Sequence, residues 1–303
     1  MISKLDQMFD ALHQQKKMRL AAAYANDSHT IEACFHAVQK GIIDATLFGD
    51  QEIILRICAE LNIPASTFHI VHEPNDSKSA TLAVKMILDG EAQILMKGLL
   101  STEKYMKAIL NKEQGLMPPK AILSHVTVIE NPAYHKLMIV GDVAVLPAPD
   151  LTEKIAIASY LIETAHALGI ALPKVAIIGA AETVSLKMQS SMDAAILSKM
   201  ADRGQIKGAI VDGPLALDLA IDQESATIKG ISSPVAGDAD CLLFPSIESG
   251  NVFYKTNSKL TQSNMAAIVA GALAPCILSS RGDSAETKLY SIALAALIAA
   301  NKK

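Results

Sequence analysis

The chain has 303 residues, half of them apolar, a formal charge of −4, no Trp and only 4% aromatic residues. That length gives a prior of about two domains. Without a long Lys/Arg block, the slightly acidic balance argues against a general nucleic-acid surface. No uncharged apolar stretch reaches the ~20 residues that span a bilayer. Met1 to Lys17 alternates charged and apolar residues and lacks the apolar core of a signal peptide. The expectation is a soluble cytoplasmic protein with neither nucleic acid nor membrane as partner. Cys34, Cys58, Cys241 and Cys276 form no Cys-x-x-Cys pair, and the last three sit in aliphatic runs. They read as structural thiols.

In chain order, residues 2–16 read as a helix, with Leu5, Met8, Phe9 and Leu12 on one face. Arg19 to Tyr24 reads as a strand, 30–40 as a helix, and Ala45 to Phe48 as a strand. Asp50 then caps a helix through Leu61. A strand at Thr67 to Val71, a helix at 77–89 and a strand at Gln93 to Met96 follow, and Ser101 caps a helix through Asn111. Leu137 to Val140 and Val143 to Leu146 read as strand material interrupted by Gly141-Asp142. Asp150 and Glu153 have the spacing of a capping box for a long helix ending at Gly169. Short strands at Val175 to Ile178, Gly208 to Val211, Cys241 to Phe244 and Cys276 to Leu278 alternate with helices near 191–203, 251–272 and 284–301.

Four- to six-residue strands alternating with longer helices predict an α/β fold of parallel, doubly covered sheets. Asn131-Pro132 and Pro147-Ala148-Pro149 are turn signals. A domain crossing near residue 136 gives a first domain of 1–136 plus 270–303, with the terminal helix returning to it, and a second of 137–269.

No Gly-x-Gly-x-x-Gly, Walker Gly-x-x-x-x-Gly-Lys or Gly-x-Ser-x-Gly occurs, which disfavours a standard Rossmann dehydrogenase, a P-loop enzyme and an α/β hydrolase. His69 and His72 fall in a strand at an odd offset, so they point to opposite faces and do not form a metal pair.

The most informative segment is Ser279 to Glu286, between a buried strand and the Ala-rich last helix. Ligands gather at the carboxyl ends of parallel strands, and a helix N-terminus attracts anions. Arg281 offers a planar fork of donors there, and Gly282 lets the backbone approach closely. The alternative reading is a capping box, Asp283 with Glu286, beside a surface arginine.

Here, and over most of the chain, the sequence resembles the phosphate acetyltransferase and butyryltransferase family. The resemblance is carried by Asp212-Gly213-Pro214 through Asp218-Leu219-Ala220, by Val235 to Asp240 leading into Phe244-Pro245, by Gly250 to Lys255, and by Ser280-Arg281-Gly282. It runs from about Lys97 to the C-terminus and more weakly before that. The butyryl branch is favoured by Met96-Lys97-Gly98, Asp193-Ala194-Ala195, Ser284 to Lys288 and the short single-unit length.

The resemblance implies two doubly wound α/β domains of the isocitrate/isopropylmalate dehydrogenase-like kind with a cleft between them, and a homodimer. It implies reversible acyl transfer between coenzyme A and phosphate, both as substrates, with no permanently bound cofactor or metal and no covalent acyl-enzyme. Its site residues carry over as Ser280 and Arg281 for catalysis; Glu286, beside the position where the family places its acid, is a further catalytic candidate rather than a carried-over residue. For coenzyme A or phosphate binding the site residues are Lys97, Gly98, Asp218, Gly250, Asn251, Lys255, Gly282 and Ser284. Asn251 as a helix cap, Lys97 as a snorkelling lysine and Asp218 as a solvated helix-end residue remain alternatives. Where similar acetyltransferases place an acidic base for the thiol, this chain has Thr287, so the base is unassigned. Competing readings are an acetyltransferase, a metal-dependent hydroxyacid dehydrogenase on the same fold, and a non-catalytic acyl-CoA sensor.

Overall fold

The computed structural model describes residues 1–278 and 283–302. In chain order its elements begin with α1 (Gln7–His13), β1 (Met18–Ala23), α2 (Ser28–Gln39), β2 (Ile43–Gly49), α3 (Gln51–Glu60), β3 (His69–His72) and α4 (Asp76–Leu88). They continue with β4 (Ile94–Lys97), α5 (Thr102–Ile109), β5 (Ser124–Glu130), β6 (Met138–Gly141), α6 (Leu151–Ala167), β7 (Lys174–Ile178) and α7 (Gln189–Asp202). The last are β8 (Ile210–Leu215), α8 (Leu217–Ile221), α9 (Gln223–Ile228), β9 (Cys241–Leu243), α10 (Ile247–Lys259), β10 (Asn264–Ala270), β11 (Cys276–Ile277) and α11 (Ala285–Asn301).

These elements form two compact units. The first comprises Asp6–Ala121 with Ala266–Lys303, and the second Met1–Leu5 with Ile122–Met265. In the first unit the strand order is β3-β2-β1-β4-β11-β10. All neighbours are parallel except β10 and β11. Leu20 to Ala23 of β1 are all solvent-free, as expected of a central strand covered on both faces. In the second unit the order is β5-β6-β9-β7-β8, parallel except for the β5–β6 hairpin.

Helix starts follow the local chemistry. Asp27, Asp50, Asn75 and Ser101 each accept a first-turn N–H, and Asp150 with Glu153 closes a full capping box.

Beyond shifted element ends and the unexpected β5, α8 and α9, the structure departs from the sequence expectation in four places. The border expected near residue 136 lies inside the second unit, because Asn131-Pro132 is the turn of the β5–β6 hairpin, where Thr127 pairs with Val140. Val143 to Leu146 is not a strand, because the Ala144 and Val145 amides at its centre are taken by the Asp142 side chain. The helix expected at 251–272 stops at Lys259, and 264–270 is a strand. That Ala-rich run is buried at five consecutive positions, so composition mimics a helix where burial on both faces makes a strand. Finally, Ser284, not Asp283, is the N-cap of α11. Its side chain accepts from the Thr287 N–H at 3.1 Å, so no Asp283–Glu286 capping box forms.

Candidate active site

In the first unit, the chain leaves β1 toward β2 on one side, while β4 lies on the other side of β1. The carboxyl ends of β1 and β4 therefore flank the point where strand order reverses, the usual ligand crevice of an open parallel sheet. The two strands are in register there, Ala23 opposite Lys97. A cavity of about 220 Å³ opens at this place, lined by Asp27, Ser28, His29, Lys97, Gly98 and Lys288 among others.

Each wall has a local cause. Gly98 follows β4 where the backbone crosses the end of β1. Its N–H and that of Leu99 donate to Ala23 and Tyr24 carbonyls at 2.9 and 2.8 Å. A Cβ at Gly98 would lie 2.2 Å from the Tyr24 oxygen, so only glycine fits. Ser28 and His29 open α2, where the first amides lack intrahelical acceptors and the helix end is electropositive. Asp27 caps that helix through Oδ1, which accepts the Thr30 N–H at 2.9 Å.

Two lysines are sunk into this wall, Lys97 at 3% and Lys288 at 4% exposure. Lys97 Nζ donates to the Gly98 carbonyl at 3.2 Å. Lys288, on the second turn of α11, reaches across to α2. Its Nζ donates to Thr30 Oγ1 at 3.2 Å and stands 4.0 Å from Asp27 Oδ1. Among the described residues the lining thus holds two ammonium groups against one carboxylate, beside a helix N-terminus, a setting that suits a small anion.

Among the described residues, two buried side-chain polar atoms lack any hydrogen-bond partner, Asn26 Nδ2 and Asp27 Oδ2. They are neighbours at the end of β1. Cys34, further along α2, is buried, and its burial pushes the thiol up to about 12 despite the opposing charge of Lys288. It stays protonated at neutral pH and is no nucleophile.

The sequence-derived site residues fall into four groups. Lys97 and Gly98 line the cavity, and Ser284 lies one turn before Lys288 on α11. Glu286 is exposed in the first turn of α11. Two residues from Lys288 on a helix, it is rotated by roughly 200° from the side that reaches the cavity. Ser280, Arg281 and Gly282 lie outside the described residues.

Asp218, Gly250, Asn251 and Lys255 belong to the second unit. There the Asp142 carboxylate, buried after β6, gathers four donors. Oδ2 accepts from Ser124 Oγ and the His125 N–H at 2.9 and 3.0 Å, and Oδ1 from the Ala144 and Val145 N–H groups at 2.7 and 2.8 Å. Asn251 is not a cap. It sits inside α10, and its Nδ2 donates to the Val143 carbonyl at 3.0 Å, bracing the same turn. A Cβ at Gly250 would lie 2.3 Å from the Asp142 backbone carbonyl oxygen, so glycine allows this close approach. Lys255 is exposed, its Nζ 5.1 Å above the Tyr254 ring. Asp218 is an exposed residue at the start of α8. Lys229 bonds it at 3.0 Å and lowers its pKa, while also pairing with Glu182.

Residues 55–296 match the family model described as phosphate acetyl/butaryl transferase. The chain belongs to this family. The chain is 46% identical to the phosphate butyryltransferase of Clostridium acetobutylicum, over all of both chains. To the phosphate acetyltransferase of Thermotoga maritima it is 43% identical, over 94% of this chain and 96% of that one. The crystal structure of a branched-chain phosphotransacylase from Enterococcus faecalis matches with a TM-score of 0.81 at 31% identity, over 93% of this chain and 99% of the other. Within this family frame, Asp27 and Lys288 are cavity residues that the sequence did not single out. A lysine heading the otherwise apolar helix α11 was their one visible signal.

Proposed function

We propose that the protein transfers a short-chain acyl group, butyryl or similar, reversibly between coenzyme A and inorganic phosphate, giving acyl phosphate and free coenzyme A. The observation that carries this reading is the Lys97–Lys288 cavity at the strand-order reversal of a phosphate acetyl/butaryl transferase family chain. A site built for a small anion is what the acceptor substrate requires. Phosphate held against the thioester carbonyl reacts through positioning and charge stabilisation, with no metal or covalent intermediate needed.

In this reading Lys97, Gly98 and Ser284 belong to the phosphate side of the site. Arg281 serves as a further clamp on phosphate and developing oxyanion, Ser280 as donor to the carbonyl oxygen or thiol sulfur, and Gly282 as the small residue beside them. These three roles rest on the sequence alone. Gly250 and Asn251 act by holding the Asp142 turn of the second unit, with Lys255 and Asp218 as outer contacts to coenzyme A. We place the protein in the cytoplasm as a soluble homodimer of short-chain fatty acid metabolism. No helix among the described residues is long and apolar enough to cross a membrane. Relatives of nearly equal identity are named for butyryl and for acetyl transfer, so chain length is tested directly. Initial rates with acetyl-, propionyl-, butyryl- and isobutyryl-CoA at fixed phosphate should peak at the four-carbon chains. A peak at acetyl-CoA assigns the protein to acetyl transfer instead.

A further inference from the structure

We propose that Asp27 reads and carries the proton of the phosphate substrate. The inference rests on the acyl-transfer reading above and gives that site its missing proton-transfer group. Three observations lead to it. Asp27 lines the cavity with the two sunken lysines. Its Oδ1 is committed to the cap of α2 and faces Lys288 at 4.0 Å, which fixes the carboxylate. Its Oδ2 has no hydrogen-bond partner although it is buried, which a folded protein tolerates mainly where a ligand or water supplies one. The alternative acid, Glu286, is rotated to the other side of α11 and exposed.

A carboxylate inside a cationic anion site needs a reason, since it repels a dianion. Hydrogenphosphate supplies the reason, because it carries one P–OH hydrogen as well as its charged oxygens. The lysines bind the charged oxygens, and Asp27 Oδ2 accepts from the P–OH. Sulfate has the same shape and charge but no hydrogen at neutral pH, so a lone acceptor selects against it. This is specificity by an unmet acceptor.

The same oxygen completes the reaction. As a phosphate oxygen bonds to the thioester carbonyl carbon, the C–S bond breaks and its electron pair leaves with sulfur. The P–OH proton passes to Asp27 Oδ2 and from there to the thiolate. Acyl-CoA and hydrogenphosphate become acyl phosphate and the free thiol, with every proton accounted for. In reverse, Asp27 takes the thiol proton and returns it to phosphate.

The test uses Asp27→Asn and Asp27→Ser, both of which keep a side chain able to cap α2. With butyryl-CoA and phosphate, both variants should lose on the order of a hundredfold in turnover while melting as the wild type does. Sulfate, competing with phosphate, should inhibit them roughly tenfold more strongly than it inhibits the wild type. Arsenate, which keeps its hydroxyl hydrogen, should lose as acceptor in step with phosphate. Turnover within threefold of wild type in either variant, or lost turnover with unchanged sulfate inhibition, overturns the proposal. If the wild type itself releases no thiol with phosphate, the acyl-transfer reading fails separately. Calorimetric binding of phosphate and of sulfate still decides the Asp27 role then, since only the wild type should prefer phosphate.

Discussion

Replacing Lys288 by Met removes one ammonium from the cavity while keeping a side chain of similar length. In the folded protein Lys288 Nζ lies 4.0 Å from Asp27 Oδ1 and donates to Thr30 Oγ1 at 3.2 Å. Two unit charges at that separation interact by about 4 kcal/mol at an effective dielectric near 20. A bound phosphate oxygen meets the ammonium at the same scale, less the cost of desolvation. The net worth of one charge-assisted hydrogen bond, about 1.5–3 kcal/mol, is the better measure. That predicts a phosphate KM raised roughly ten- to a hundredfold. The KM for butyryl-CoA should change little. Loss of the Thr30 bond alone should cost about 1 kcal/mol of stability. Initial rates with phosphate varied at saturating butyryl-CoA, then the reverse, separate these effects. An unchanged phosphate KM, or equal changes for both substrates, refutes the assignment of this cavity to phosphate.

Other outcomes follow from the same geometry. Glu286→Gln should keep substantial activity, because the exposed carboxyl is neither the α11 cap nor on the cavity side; a loss of a hundredfold in turnover with unchanged melting would make it the base. Lys154 and Asp193 form a buried ion pair at 2.5 Å between α6 and α7. Lys154→Met should destabilise by about 3–5 kcal/mol, and adding Asp193→Leu should recover much of that; additive losses in denaturant melts would contradict it. Burial would raise the Asp238 carboxyl, but bonds from Lys136, Lys174 and His135 outweigh it and hold it well below the usual carboxylate range. A depressed carboxyl stabilises above its unfolded value near 4 and loses that contribution as pH falls through the folded value. Asp238→Asn should therefore cost about 1 kcal/mol at pH 7, discounted because the side chain is over a third exposed. The gap in urea melts should hold to about pH 5 and close below about 4; a gap that widens in acid contradicts this.

Much of the fold was legible because parallel strands covered on both faces are short, apolar and flanked by capping residues. Asp50, Ser101 and the Asp150–Glu153 pair mark their helices as expected. Two strands escaped. Ser124–Glu130 carries β-branched residues at Val126, Thr127, Val128 and Ile129, a usable signal hidden between polar ends. Asn264–Ala270 is Ala-rich, and in a fully buried segment periodicity cannot separate strand from helix. At the site, Lys97 was legible as a charge closing an apolar strand before a glycine. Its partner Lys288 was not, because 258 residues separate it from the Thr30 hydroxyl it bonds. Asp27 carried no mark of its own in the sequence, and only three dimensions show that one of its oxygens is left without a partner.

The most direct measurement is thiol release from butyryl-CoA as phosphate is varied, with acyl phosphate trapped by hydroxylamine. The account predicts release that saturates with phosphate and matches the acyl phosphate formed mole for mole. Release indifferent to phosphate, or none above a phosphate-free control, would contradict it.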